Sequence, residues 1–269
     1  MGSGLAEVIA RAGINVVVRS RTMAGAQSML TSVENNLAKQ VAKAKMTEDQ
    51  RTEILSHISI TDQLSALANC DLVIESILEE LAPKQELFSQ LDKIVKPSAI
   101  LATNTSTLPV VAMAQATNRP DKVCGIHFFN PAVMMSLVEI IRPVTASDET
   151  ISAATAFAIG CAKDPVQVVD RAGFIVNALL FPYLNNAVHM LEAKTASMED
   201  IDTAMKGGCN FPMGPFALLD LVGLDTSLSI LEALHAEFAD PNYAAVPTLR
   251  RLVAAGKLGR KSGEGFYKY

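Results

Sequence analysis

Short apolar runs alternate with longer segments of helical periodicity through the first half of the chain. The apolar runs are rich in Val and Ile, as buried parallel strands are, and the segments between them carry apolar residues at three- and four-residue spacing. This alternation is typical of βαβ units and predicts a parallel sheet covered by helices on both faces. The predicted strands are residues 15–18, 58–60, 72–74, 100–102, 123–126 and 136–141.

Beyond residue 150 the pattern becomes long and helical, and residues 166–169 form the last strand candidate. We place the domain boundary within residues 170–173, so that an α/β domain (1–170) precedes an all-helical domain (171–269). The helical domain is rich in Leu, Ala and Met, and this apolar excess indicates a core shared with a second subunit in a homodimer. The predicted helices are residues 151–161, 174–194, 198–205, 215–237 and 248–255.

The chain opens with a glycine-containing helix, residues 1–12, that leads into the first predicted strand. In a Rossmann-like dinucleotide-binding fold, a G-x-G-x-x-G turn joins strand one to such a helix. Gly2 fits the third glycine, whereas the first strand and the first two glycines are missing from the chain. Either the chain starts late or the protein lacks this strand. We expect the former, because the strand is central and its loss would leave an unpaired edge.

The residue that reads the cofactor ribose is expected about twenty positions after the glycine turn, at the end of the second strand. In NAD-binding folds it is Asp or Glu, but here Ser20 and Arg21 occupy the strand end. A serine leaves room for the 2′-phosphate of NADP(H), which a carboxylate would repel. An arginine can pair with that phosphate through charge-assisted hydrogen bonds. The pattern favours NADP(H), with NAD(H) as the alternative. The alternative, which involves no cofactor, is that Ser20 caps a helix and that Arg21 is a solvated residue of a turn.

Composition narrows the functional classes. The chain is 49% hydrophobic with a mean hydropathy of +0.25 and a net charge of −5, which argues against a nucleic-acid partner. No apolar stretch reaches the length of a membrane helix, and we expect no signal peptide because the first residues already have the pattern of a helix of the fold. Four cysteines lie far apart without metal-ligand spacing, so we expect reduced thiols, no metal and a soluble cytoplasmic protein.

One histidine stands out as a candidate catalytic residue. His127 ends an apolar run before an Asn-Pro break, and strand ends are where open α/β folds keep their chemistry. Glu139 closes a second apolar run and could orient the imidazole and stabilise its protonated form. A hydrogen-bonded core histidine and a solvated glutamate remain the alternative for the pair taken alone.

With these residues in place, the chain resembles the 3-hydroxyacyl-CoA dehydrogenase family. The pairing of HFFNP with AGFIVN is highly specific, and the likeness is closest to the single-function bacterial 3-hydroxybutyryl-CoA dehydrogenases. The matching stretches follow the family's order over nearly the whole chain: residues 1–4 (MGSG), 102–106 (ATNTS), 127–131 (HFFNP), 137–139 (LVE), 172–177 (AGFIVN), 181–185 (FPYLN), 210–215 (NFPMGP) and 259–267 (GRKSGEGFY).

The resemblance implies interconversion of (S)-3-hydroxyacyl-CoA and 3-ketoacyl-CoA with a nicotinamide cofactor. It assigns His127 as the general base, oriented by Glu139, with Ser106 and Asn177 hydrogen-bonded to the substrate's oxygens. Asn130 matches a residue near the nicotinamide, and Ser106 is also placed among the cofactor and CoA contacts. The structural alternatives are that Ser106 caps a helix and that Asn177 makes a bond within its helix.

Four further positions carry weaker assignments. Glu79 and Lys84, expected on the helix after residues 72–75, match cofactor contacts, and Asn36 and Lys43 match positions that touch the CoA moiety. Both lysines would otherwise be solvated charges. Two rival functions stay open: a dehydrogenase of a 3-hydroxy acid without CoA, and a catalytically inactive subunit that lacks the first Rossmann strand.

Overall fold

The computed structural model describes all residues, 1–269, and divides into two compact units, Met1–Asp170 and Arg171–Tyr269. The first unit is a Rossmann-like α/β unit with parallel strands and the second is helical, so the predicted fold class is confirmed. The first unit contains strands β1 (Val16–Arg19), β2 (Ile58–Thr61), β3 (Leu72–Glu75), β4 (Ile100–Thr103), β5 (Val123–Phe128), β6 (Leu137–Arg142) and β7 (Asp164–Val169). Its helices are α1 (Gly2–Arg11), α2 (Met23–Ala42), α3 (Glu48–Ser56), α4 (Leu81–Ile94), α5 (Val110–Ala114) and α6 (Asp148–Gly160).

The strands form two sheets, so the prediction of one parallel sheet is wrong in two respects. First, β1 pairs only with β2, and β3 begins a separate sheet of order β3-β4-β5-β6-β7. Both β1 and β3 are therefore hydrogen-bonded to a neighbouring strand on one side only. Second, β6 runs antiparallel to β5. The connection between these two strands, residues 129–136, is too short for the crossover that a parallel pair requires.

Helix α1 packs against both sheets and joins them into one core. Its buried residues Leu5, Val8 and Ile9 belong to the same apolar cluster as Val16 of β1 and Leu72 of β3. The periodicity of residues 1–12 predicted this helix, and Leu5, Val8 and Ile9, the apolar residues that carry the helical spacing, are buried.

The second unit contains five α-helices around its own core. A single helix over residues 215–237 is wrong: the chain breaks at Gly223, whose φ of 102° is a conformation that L side chains rarely adopt. The core is formed by large apolar residues, including Phe181, Leu184, Phe216 and Leu231. The helices are α7 (Val176–Glu192), α8 (Met198–Cys209), α9 (Pro215–Val222), α10 (Leu224–Phe238) and α11 (Pro247–Ala254).

Two buried aspartates hold the C-terminal segment onto the helices. Asp220 of α9 accepts hydrogen bonds from the N–H groups of Phe266 and Tyr267, both at 2.8 Å. Asp202 of α8 accepts one from the Tyr267 hydroxyl at 3.0 Å. A Cβ at Gly265 would lie 2.0 Å from Asp220 Oδ1, so only glycine permits this approach. Gly265 and Tyr267 of the GRKSGEGFY stretch therefore have a structural explanation.

None of the helices combines the length and the apolar character that a membrane span requires.

Candidate active site

His127 and Glu139 face each other across strands β5 and β6. The antiparallel register pairs the two residues directly, and His127 Nδ1 lies 2.8 Å from Glu139 Oε2. Glu139 is 0% exposed and His127 is 4% exposed, so the alternative of a solvated glutamate is wrong. A carboxylate at Nδ1 stabilises the tautomer that carries its proton there, which leaves the Nε2 lone pair available to accept a proton.

The second ring nitrogen of His127 points to Ser106. Ser106 Oγ lies 3.1 Å from His127 Nε2, in the turn that follows β4. Ser106 does not cap a helix, because α5 begins after Pro109. The ring of Phe129 lies against the imidazole, with centroids 4.6 Å apart. The structure thus brings three of the predicted residues into one hydrogen-bonded line, Glu139–His127–Ser106.

The turn that carries Ser106 is held by Glu79. Glu79 Oε1 accepts hydrogen bonds from the Thr105 hydroxyl, from Ser106 N at 2.8 Å and from Thr107 N at 3.3 Å. The expectation that Glu79 lies on a helix is wrong. It precedes α4, whose N-cap is Glu80, and lies in a bend in which Glu80 N donates to Leu78 O at 2.8 Å.

Lys84 lies inside the protein rather than in solvent. It is 1% exposed, and its Nζ is 2.8 and 2.9 Å from the two oxygens of Glu75 and 3.2 Å from Glu79 Oε2. The alternative of a solvated charge is therefore wrong, since two carboxylates compensate the buried ammonium. Sequence reasoning missed Glu75 and its partner Thr103, whose hydroxyl donates to Glu75 Oε2 at 2.7 Å. A carboxylate directly after the apolar run of β3 was the available signal.

The end of β1 places Ser20 half-buried and Arg21 in solvent. The cap of α2 is Thr22, whose side chain accepts a hydrogen bond from Gly25 N at 3.1 Å. The explanation of Ser20 as a helix cap is therefore wrong. Arg19 is directed elsewhere, because its Nε donates to Asp62 O at 3.3 Å.

Gly2 is the first residue of α1. No side chain caps this helix and its first turn contains no acidic residue, so its N-terminal N–H groups suit an anion such as a pyrophosphate. A Cβ at Gly2 would lie 2.6 Å from Met29 Cε of α2.

The other predicted site residues are not part of this line. Asn36 of α2 donates to Glu7 Oε2 at 2.6 Å, and Lys43, at the C-terminal end of α2, is exposed. Asn130 is exposed two residues after β5, and Asn177 is a buried residue of α7 in the second unit. Their cofactor and substrate contacts stay predictions.

Comparison with known proteins agrees over the full length of the chain. Residues 1–171 match the family model described as 3-hydroxyacyl-CoA dehydrogenase, NAD binding domain, and residues 173–269 match the C-terminal domain of the same name. A 3-hydroxybutyryl-CoA dehydrogenase of Mycobacterium tuberculosis is 43% identical over 100% of this chain and 95% of its own length. A probable 3-hydroxybutyryl-CoA dehydrogenase of Deinococcus radiodurans is 45% identical over 100% and 96%. The crystal structure of (S)-3-hydroxybutyryl-CoA dehydrogenase from Ralstonia eutropha superimposes with a TM-score of 0.97 at 41% identity, covering 100% of this chain and 95% of that one.

Proposed function

Since this chain belongs to the 3-hydroxyacyl-CoA dehydrogenase family, we propose that it interconverts (S)-3-hydroxyacyl-CoA and 3-ketoacyl-CoA with a nicotinamide cofactor. The substrate is a short acyl-CoA, 3-hydroxybutyryl-CoA, for which the relatives are named. The observation that carries the proposal is the line Glu139–His127–Ser106, which supplies an oriented base next to a hydroxyl donor.

His127 is the proton acceptor in the oxidation. Its Nε2 takes the proton of the substrate's 3-hydroxyl, and the adjacent Glu139 carboxylate stabilises the imidazolium that forms. In the reduction the same nitrogen returns the proton. Ser106 and, by the resemblance, Asn177 donate hydrogen bonds to the substrate's oxygens. A bound nicotinamide would supply the hydride acceptor for C3 of the substrate in the oxidation and the hydride donor in the reduction.

The cofactor-holding residues are Gly2 at the N-terminus of α1, Ser20 and Arg21 at the end of β1, and Asn130 after β5. Ser20 and Arg21 favour NADP(H), because a hydroxyl and an exposed guanidinium suit a 2′-phosphate. Titration of the purified chain with NADPH and NADH checks this preference, and tighter binding of NADH would contradict it.

The two units have different tasks in this proposal. Residues 1–170 bind the dinucleotide and supply the reacting residues His127, Glu139 and Ser106, and residues 171–269 complete the substrate site with Asn177 and form a homodimer. Asn36 and Lys43 contact the CoA moiety, where the exposed Lys43 ammonium meets a phosphate. Sedimentation equilibrium of the chain checks the dimer.

The deciding experiment is an assay of the 269-residue chain with (S)-3-hydroxybutyryl-CoA and either cofactor, followed by the absorbance of the reduced nicotinamide. Turnover of the thioester supports the proposal. Turnover of free 3-hydroxybutyrate without turnover of the thioester would support the dehydrogenase that does not use CoA. A protein that shows neither turnover nor a rise in Tm with saturating NADPH would support the inactive subunit, because a ligand bound only by the folded state stabilises it.

A further inference from the structure

Glu79 is tied more tightly to the Ser106 turn than to any other part of the first unit. One of its oxygens, Oε1, accepts three hydrogen bonds from consecutive residues, Thr105, Ser106 and Thr107. The backbone of the turn is therefore fixed on both sides of the Ser106 side chain. That side chain is the one that reaches His127 Nε2 at 3.1 Å.

The other oxygen of Glu79 is anchored in the interior. Oε2 lies 3.2 Å from Lys84 Nζ, which is also bound by both oxygens of Glu75. Glu75 in turn accepts from the Thr103 hydroxyl, and Thr103 Oγ1 accepts from Thr105 N at 3.2 Å. These contacts form a continuous path from Glu75 of β3 through Lys84 of α4 and Glu79 to the turn after β4, and then back to Thr103 of β4. Glu79 is therefore anchored by the buried Lys84 at one oxygen and binds the turn with the other.

The Lys84 ammonium is surrounded by protein oxygens. Its three donors face Glu75 Oε1, Glu75 Oε2 and Glu79 Oε2, and the side chain is 1% exposed. Glu79, by contrast, is 40% exposed and directs Oε1 toward the turn. These contacts give both residues a task that requires no contact with a ligand.

We infer that Glu79 is a positioning residue that sets the place of Ser106 Oγ relative to His127 Nε2, and that Lys84, neutralised by Glu75, fixes Glu79 for this task. The inference rests on the proposed function, because it assigns Glu79 a part in the same reaction. A catalytic group displaced by about 1 Å can lose about 100-fold in rate, so a carboxylate that acts only through a neighbouring turn can have a large effect.

The test is a double-mutant cycle of Glu79→Ala and Ser106→Ala. In the wild-type background Glu79→Ala lowers kcat by about 10- to 100-fold and leaves the Kd of the cofactor within about twofold. In the Ser106→Ala background the same change lowers kcat by less than about threefold, because the group through which Glu79 acts is gone. Equal losses in both backgrounds, or a large rise in cofactor Kd with kcat retained, would overturn the inference.

A spectroscopic readout separates this inference from the proposed function. The ring signals of His127 are assigned in a heteronuclear NMR spectrum by their loss in His127→Ala, which needs no enzymatic activity. Glu79→Ala shifts these signals toward their positions in Ser106→Ala. His127 signals that stay at the wild-type positions in folded Glu79→Ala would overturn the inference, whereas an inactive wild-type protein would overturn only the proposed function.

Three further variants serve as controls. Glu79→Gln keeps an oxygen that accepts from Ser106 N but sets an amide N–H₂ against Lys84 Nζ, so the His127 signals lie between those of the wild type and those of Glu79→Ala. Glu80→Ala removes the same charge from the exposed neighbouring residue and leaves both kcat and the signals unchanged. Should Glu79→Ala not fold, Glu79→Asp replaces it, since its carboxylate ends one methylene short of the turn. Wild-type signals in Glu79→Asp would then contradict the inference.

Discussion

Buried carboxylates occur in both units of the molecule, but different partners satisfy them. In the first unit, Glu139 and Glu75 bind the side chains of His127 and Lys84. In the second unit, Asp220 accepts hydrogen bonds from two backbone N–H groups and from the Tyr269 hydroxyl.

The type of partner distinguishes a carboxylate that takes part in a reaction from one that only stabilises the fold. Backbone donors cannot leave and cannot change protonation state, and burial raises the pKa of the Tyr269 hydroxyl above its usual value, so this third donor also stays protonated at neutral pH. Asp220 therefore fixes a chain segment. An imidazole can exchange a proton, so the carboxylate of Glu139 can influence a reaction through His127. Burial of a carboxylate therefore indicates function only when its partner belongs to a residue type that exchanges protons near neutral pH, as histidine does.

The largest expected effect is on His127. His127→Ala lowers kcat by about 1,000- to 10,000-fold, because the base that takes the hydroxyl proton is lost. The Kd of the cofactor stays within about twofold, and steady-state kinetics with calorimetry measure both quantities. His235→Ala, an exposed histidine of the second unit, is the matched control and keeps wild-type activity. Near-normal turnover in His127→Ala would contradict the conclusion that the buried Glu139 serves the reaction while the buried Asp220 serves only the fold.

Thiol reactivity distinguishes the two regions next. Burial raises the pKa of the Cys124 thiol, on β5, from 9.0 to about 12. Because the thiolate is the reactive form, this shift lowers its population at neutral pH by about 1,000-fold. Cys209, at the exposed end of α8, is therefore alkylated first. Mass spectrometry of partially labelled protein checks the order, and early labelling of Cys124 would show that the core around β5 opens.

A smaller effect is expected at Asp220. Asp220→Asn lowers the free energy of unfolding by about 3 kcal/mol, because an amide N–H₂ replaces an oxygen that accepts from Tyr267 N and the Tyr269 hydroxyl. Denaturant unfolding measures the loss, and kcat per folded molecule is unchanged. Glu237→Gln, at an exposed position of α10, is the control with the same charge change. A fall in kcat without a fall in stability would give this carboxylate a role in the reaction.

The smallest expected effect is a change in cofactor preference when a carboxylate is introduced at the end of β1. Ser20→Asp places it at the end of β1, where it repels a 2′-phosphate and accepts from a ribose hydroxyl. We expect the preference between NADPH and NADH to move toward NADH by about tenfold, equal to about 1.4 kcal/mol, with the unfolding free energy unchanged. Fluorescence titration with both cofactors measures the ratio. A loss of stability instead would mean that the half-buried Ser20 serves the fold.

Much of the fold follows from local pattern. The strands of the first unit and most helices are where apolar spacing placed them, because burial of one face requires that spacing. The pattern did not contain the break at Gly223, where a glycine conformation interrupts an otherwise continuous helical periodicity. It also could not show that Lys84 is buried, because that depends on Glu75, which lies nine residues earlier and is brought close only by folding.

The amino-acid sequence alone determined the family, the succession of an α/β unit and a helical unit, and the identity of the candidate pair His127 and Glu139. Only the tertiary structure decided that these two side chains meet. A separation of twelve residues fits many arrangements, and contact requires the turn of residues 129–136 and the register in which β5 and β6 pair antiparallel. A shift of one residue in that register would turn the imidazole and the carboxylate to opposite faces of the sheet, because side chains alternate along a strand.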